Sequence, residues 1–320
     1  MKTKAFACAL ALFFAAAATF AQDYPTKPIR VIVPYGPGGV DLQVRAMAPT
    51  LARILGQQVV IENREGGGAV IGTNAVKNAP PDGYTILFTG TSALAVVPHM
   101  RKNVGYTLDD FAPIGNATGT PLVVAVRADA PYKTLQELIA YAKANPGKIN
   151  MGTAGPGTST HMAGEAFQVA ASIEFTHIPF KGVGAATQGI LGGNSDIVFG
   201  LPGVMLPHVA SGKLRILASM GPKRSEIVPD VPTLVESGHD VVEVTRFGFF
   251  APRNTPPAVQ QKLVDAVAQA ARDPEFVAAM KKTNTSILYL NPADFRAAVQ
   301  AESNFWSKML QNPRFKSVLE

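Results

Sequence analysis

Cysteine is almost absent. The 320-residue chain has one, Cys8, and it lies within the first apolar stretch. A chain cleaved after that stretch keeps no thiol, which excludes a disulfide framework, a cysteine nucleophile and cysteine metal ligands. Charge is sparse as well: Asp, Glu, Lys and Arg make up 16% of the residues, against 47% hydrophobic. That balance describes a globular protein with a full core rather than a disordered one. No dense Lys/Arg cluster with interleaved aromatics occurs, so nucleic acid is not an expected partner. His99, His161, His177, His208 and His239 are scattered without an H-x-x-x-H pair, so metal ligation has no spacing support and no cofactor is expected. There is no repeat strong enough for a solenoid, and after the first twenty residues no apolar run long enough to span a bilayer.

What the N-terminus does have is the pattern of an export signal. Lys2 and Lys4 precede the apolar stretch Ala5 to Phe20, and Thr19-Phe20-Ala21 resembles a small-x-small cleavage site. Residues 1–21 are therefore expected to be a signal peptide cleaved near Ala21, with the mature protein exported to the periplasm. Losing two lysines and no acid takes the formal charge from +6 to +4. This thin positive surplus suits an anionic ligand weakly.

The mature chain alternates strand-like and helix-like segments. Ile29 to Val33 is a β-branched run; Tyr35-Gly-Pro-Gly-Gly39 is a loop; Val44, Met47, Leu51 and Ile54 then recur on one helical face. Strands follow at Gln58–Ile61 and Tyr84–Phe88, with Gly-rich or polar loops after each. Two strand-like runs between Pro113 and Arg127 flank Gly119-Thr-Pro121. Thr134-Leu-Gln-Glu137 is a capping-box pattern. A second series starts at Lys148–Met151 and continues through Ile173–Ile178, Asp196–Phe199 and Leu214–Ala218. Val241–Ala251 is a further strand, and three helices opened by prolines at 256, 274 and 292 end the chain. Strands and helices at this spacing imply a parallel or mixed sheet covered on both faces, an α/β fold, with ligands beyond the carboxyl ends of the strands.

The most informative stretch is Gly152-Thr-Ala-Gly-Pro-Gly-Thr-Ser-Thr-His161, between a strand and an apolar-periodic helix. Its glycines permit a tight turn with exposed amides, and Thr158, Ser159 and Thr160 are helix-capping types. Such a loop attracts anions through hydrogen bonds and the helix dipole, and reads as half of a carboxylate clamp. The same pattern also describes an ordinary strand-to-helix turn. Nucleotides are disfavoured: Gly152 and Gly157 have phosphate-loop spacing, but residue 158 is Thr where the phosphate-reaching Lys is required. After Gly66-x-Gly68, the third glycine of a dinucleotide fingerprint comes one residue late, at Gly72. Ser159 and His161 are two residues apart at a helix start and point in different directions, and no G-x-S-x-G elbow exists. Enzyme activity is not expected.

Several segments, in order, resemble the periplasmic substrate-binding proteins of tripartite tricarboxylate transporters, the Bug family. They are Pro25-x-Lys-Pro-Ile-Arg-Val-Ile-Val-Pro-Tyr-x-Pro-Gly-Gly39, Glu62-Asn-Arg64 with its glycines, and Pro81-Asp-Gly-Tyr84. Asn145-Pro-Gly-Lys148, the Gly152–Glu165 stretch, Pro179-Phe-Lys-Gly182 and Gly248-Phe-Phe-Ala-Pro252 continue the match. The resemblance implies a bilobal periplasmic-binding-protein clamshell, type II-like, of two α/β lobes with the ligand cleft between them. Lobe one would comprise residues 22–124 with 247–320, and lobe two residues 125–246. The protein would work as a monomer, capturing a small carboxylate for membrane transporter subunits. Carried over by position, the ligand residues are Tyr35, Gly36, Gly38, Gly39 and Asp41 in lobe one. In lobe two they are Ala154, Gly155, Gly157, Thr158, Ser159 and His161, with Lys181 as an addition. Thr91 and Ser92, at a strand's carboxyl end, are further candidates from the strand pattern. Tyr35 could stack on an aromatic ligand or pack at the hinge, Asp41 could be a structural acid, and Lys181 could be a solvated surface lysine. The family usually leaves two residues between Pro-Gly-Gly and Asp; here Pro37-Gly-Gly-Val-Asp41 leaves one, which could move the lobe-one amides by up to ~3 Å. The rivals are an exported enzyme acting on a carboxylate ester or amide, and a sensory module reporting ligand to a membrane receptor.

Overall fold

Ile29–Val33, β-branched and buried except at Arg30, forms an interior strand, one in from the edge of its sheet, with a neighbour strand on each side. The computed structural model describes residues 24–311, so the expected signal segment lies outside the described residues. The chain runs β1 (Ile29–Val33), α1 (Val40–Leu55), β2 (Val59–Asn63), α2 (Val70–Lys77), β3 (Thr85–Gly90), α3 (Ser92–Ala95), α4 (Val97–Met100) and β4 (Phe111–Pro121). It continues with β5 (Val123–Arg127), α5 (Leu135–Ala144), β6 (Ile149–Thr153), α6 (Ser159–Ala171), β7 (Phe175–Pro179), α7 (Val183–Leu191), β8 (Ile197–Gly200), α8 (Pro202–Ala210) and β9 (Leu214–Ser219). It ends with β10 (Val244–Pro252), α9 (Pro257–Ala270), α10 (Pro274–Lys282), β11 (Ile287–Leu290) and α11 (Pro292–Met309).

These strands form two sheets, ordered β11-β4-β10-β3-β1-β2 and β7-β6-β8-β5-β9. The two share one plan. In the first, β1 lies between parallel β2 and β3, and β10 runs antiparallel beyond β3. In the second, β6 lies between parallel β7 and β8, and β5 runs antiparallel beyond β8. The strand order therefore reverses at β1 and at β6, and the crevice outside the carboxyl end of such a strand is where open α/β sheets bind ligands. The loops that follow β1 and β6 are the two glycine-rich stretches singled out from the sequence.

The fold is bilobal. The chain leaves the first sheet at Leu122 and returns at Glu243, and the two crossings are tied together: Leu122 N donates to Glu243 O (3.1 Å), Glu243 N to Met220 O (2.8 Å) and Met220 N to Leu122 O (2.8 Å). A few backbone bonds at one point permit rotation of one lobe against the other.

Several elements differ from the expectation. β6 runs on to Thr153, and Gly119–Pro121 is part of β4 rather than a break before β5. Helix α8 occupies what reads as a Gly-Leu-Pro-Gly loop; Pro202 stands at its start, where a missing N–H costs nothing. The last helix buries Phe295, Val299 and Trp306. Among the described residues no helix is long and apolar enough to cross a membrane.

Candidate functional site

The carboxyl ends of the two sheets face each other, and four helix starts converge between them. Val40 opens α1, Thr158 caps α6, Val183 opens α7 and Leu201 caps α8; all four line one small cavity of about 20 Å³. Each helix N-terminus carries roughly half a positive charge, and an anion there gains about 0.3–2 kcal/mol per helix. None of the residues lining the cavity is charged. Positive potential is thus supplied by backbone dipoles and hydroxyls rather than by a basic side chain.

Tyr35, Gly38, Ala154, Thr158 and Ser159 line this cavity, so the candidates from both glycine-rich loops do come together. Gly39 caps α1 in the left-handed region (φ +57°) and faces Val183 of the opposite lobe. The Tyr35 ring forms part of the wall and its hydroxyl is tied to Thr89 Oγ1 at 3.1 Å. Leu122, Thr245 and Phe247 complete the enclosure from the crossings, and the sequence reading missed them. Thr245 matters most. It is buried, and its Oγ1 has no hydrogen-bond partner among the described residues. A buried orphan hydroxyl in a cavity is a group waiting for a ligand or water. No motif could have marked it, because it sits in an ordinary strand alternation.

The lobes are closed. Gly36 N donates to Lys181 O across the cleft at 3.0 Å, and Ser159 N to Ser92 Oγ at 3.2 Å. A volume of about 20 Å³ holds about one water molecule, so a ligand enters only when the lobes part. The amides of the 154–158 loop are satisfied within their own segment. Ala154 N donates to Thr160 Oγ1 (2.8 Å), Gly155 N to Thr153 Oγ1 (3.2 Å), Gly157 N to His161 Nδ1 (3.1 Å) and Thr158 N to Gly155 O (3.3 Å). The expected direct grip of the Ala154–Ser159 amides on a carboxylate is therefore replaced, in this arrangement, by bonds within the protein. Thr158, Ser159, Thr160 and Thr245 line the cavity wall; Thr158 Oγ1 donates to Gly155 O (2.7 Å) and lies 3.0 Å from Thr160 Oγ1, so the Thr245 hydroxyl is the unsatisfied one.

Three expected contacts take other roles. Asp41 is buried and receives Arg45 Nε at 2.9 Å on both carboxylate oxygens, which makes it a structural acid of α1. Thr91 donates its amide to Arg246 O, and its hydroxyl hydrogen-bonds Glu302, whose carboxyl burial pushes up; it faces the crossing, not the cavity. Ser92, by contrast, holds the Ser159 amide.

His161 faces away from the cleft. One turn after Gly157, its ring leans back towards the helix start, the direction helical side chains take. It stacks on His177 (centroids 4.0 Å apart) and pairs with Glu165 at 3.5 Å, on the wall of a separate groove of about 760 Å³. Burial, and secondarily the neighbouring His161, hold the His177 pKa down at about 3. A histidine kept neutral in the fold but protonated when unfolded loses stability as pH falls below the unfolded value near 6.5, down to about 3. The melting temperature should fall between pH 7 and pH 4, and His177→Gln should flatten that part of the profile; a parallel profile would remove His177 as the cause. Among the described residues no cluster of His, Asp and Glu could hold a metal ion.

Beyond the cavity, sharing Tyr35 and Ala154 with it, lies an outer chamber of about 270 Å³ lined by the loops after β2 and β7. Gly155 and Lys181 face this chamber, and Lys181 Nζ lies 3.2 Å from Glu65 across the lobes. That exposed pair contributes little to stability.

The family model described as "Tripartite tricarboxylate transporter family receptor" matches residues 43–314. The protein BugT of Bordetella pertussis is 35% identical over 302 residues, covering 92% of each chain. Among solved structures, the periplasmic binding protein BugD is 33% identical with a TM-score of 0.85, over 90% of this chain and 98% of its own. MatC from Rhodopseudomonas palustris, solved with bound malate, is 26% identical with a TM-score of 0.86, over 90% of this chain and 100% of its own.

Proposed function

Because the chain belongs to the tripartite tricarboxylate transporter receptor family, we propose that it is a periplasmic receptor that captures a small carboxylate and hands it to membrane transporter subunits. The observation that carries this reading is the convergence of four helix starts, from both lobes, on one uncharged cavity that also contains the orphan hydroxyl of Thr245. Malate bound by a structural relative fits the same ligand class. The carboxylate binds to the open cleft, where hydroxyls and helix dipoles receive it. Closure then excludes water, and the hydrogen bonds strengthen in the lower dielectric.

In this reading residues 24–124 with 247–311 move as one lobe and 125–246 as the other, within a few residues of the crossings at Leu122 and Glu243. The receptor acts as an exported monomer, its leader removed near Ala21, and it performs no chemistry on the ligand. Titrating the purified mature protein with mono-, di- and aromatic carboxylates, by thermal shift and then calorimetry, tests the assignment. At least one carboxylate should raise the melting temperature and be recovered unchanged. Stabilisation by amines or sugars alone, or turnover of the ligand, would refute it.

A further inference from the structure

His161 joins the ligand-facing loop to the groove behind it. It is the third residue of α6 and reaches back past the cap, where Gly157 N donates to its Nδ1 at 3.1 Å. A side chain at this position often satisfies a free amide at the helix start, usually a Glu or Gln. Here the acceptor is a ring that titrates. A backbone N–H can only donate, so Nδ1 is unprotonated and Nε2 carries the hydrogen. Nε2 faces Glu165 Oε1 at 3.5 Å, and the buried ring lies on His177 with centroids 4.0 Å apart. Lys143 of α5 and Glu174, just before β7, are the other ionisable groups on that groove wall.

What His161 holds is the closing face of lobe two. Pro156 O abuts Gly68, Gly157 abuts Val97 and Met100 of α4, and Thr158 and Ser159 line the cavity. A second proton on the ring would aim Nδ1–H at Gly157 N–H, two donors with no acceptor between them. Glu165 would still face Nε2–H, so only the bond to the loop is lost.

Resting on the carboxylate reading above, we propose that His161 is a positioning residue for ligand capture: its neutral ring locks residues 156–159 in the closed geometry, and its protonation releases them. It touches no ligand. The stacked His177, whose pKa burial holds down at about 3, stays neutral while this happens.

Calorimetry on the full mature protein with malate, succinate, glutarate and benzoate, read on the tightest of them, tests the role. Wild-type affinity should fall about 10–100-fold from about pH 8 to about pH 5, the effect of a broken buried hydrogen bond that leaves its donor unsatisfied. His161→Gln keeps an acceptor for Gly157 that does not titrate, so it should match wild type at the higher pH and lose far less at the lower. The ratio of wild type to this variant at each pH cancels ionisation of the ligand itself. His161→Phe keeps a ring on His177 without an acceptor and should bind weakly at both. Melting temperature reports whether each variant folds. Nitrogen NMR of histidine-labelled wild-type protein, which needs neither variant nor ligand, should show an unprotonated Nδ1 for His161 at the higher pH. Parallel pH profiles for wild type and His161→Gln, full affinity in His161→Phe, or a protonated Nδ1 overturns the positioning role and leaves carboxylate capture intact. Failure of all these carboxylates to bind overturns both.

Discussion

Gly68→Ala should leave both lobes folded and weaken ligand binding by at least ~100-fold, because the closed state can no longer form. A methyl group at Gly68 would lie 2.0 Å from the carbonyl oxygen of Pro156 on the opposite lobe. Both atoms are backbone-fixed, so no rotamer change relieves the clash. The position also has φ +61°, which costs a side-chain-bearing residue about 1–2 kcal/mol. Gly238→Ala separates the two effects: Gly238 has φ +86°, yet a methyl there meets nothing within 4 Å. The two variants should melt a few degrees below wild type, while only Gly68→Ala loses affinity in calorimetry. Equal affinities for the two would mean that the Gly68–Pro156 contact does not belong to the ligand-bound state.

Ser159→Arg should abolish binding to below detection. Ser159 opens α6, is buried at the cavity wall and donates its amide to Ser92 of the other lobe. An arginine side chain cannot fit a cavity of about 20 Å³, so it must hold the cleft open or fill it. In the open form the side chain reaches solvent, and the melting temperature of the free protein should change by only a few degrees. Wild-type affinity in this variant would place the site elsewhere.

How much of this was legible in the sequence depends on the range of the interactions. The loops after β1 and β6 are local objects, and their glycines, hydroxyl residues and neighbouring periodicity point to two strand-loop-helix units with anion-attracting helix starts. The structure brings those two loops to one cavity. Thr245 and Phe247 reach the same cavity only because β10 returns from the second lobe to lie beside β3, a long-range pairing that no local pattern reports. The starts of α7 and α8 were not expected there either, α8 because its prolines read as a loop. His161 shows the opposite failure. Its place in a suggestive motif made it a ligand candidate, while helix geometry turns the ring back to hold Gly157 N. The amides of the 154–159 loop read as exposed in the sequence, but Thr153, Thr160, His161 and Ser92 satisfy most of them. Asp41, which follows the shortened loop, turns its carboxylate along α1 to Arg45 instead of towards the cleft.

The central claim is a clamp that closes on a carboxylate between two glycine-rich jaws. Small-angle X-ray scattering of the mature protein, with and without the tightest ligand from the carboxylate panel, tests it most directly. The radius of gyration should contract on binding, to the value of the closed structure, and Gly68→Ala should not contract. Tight binding with no contraction, or full contraction of the Gly68→Ala variant, would contradict the clamp.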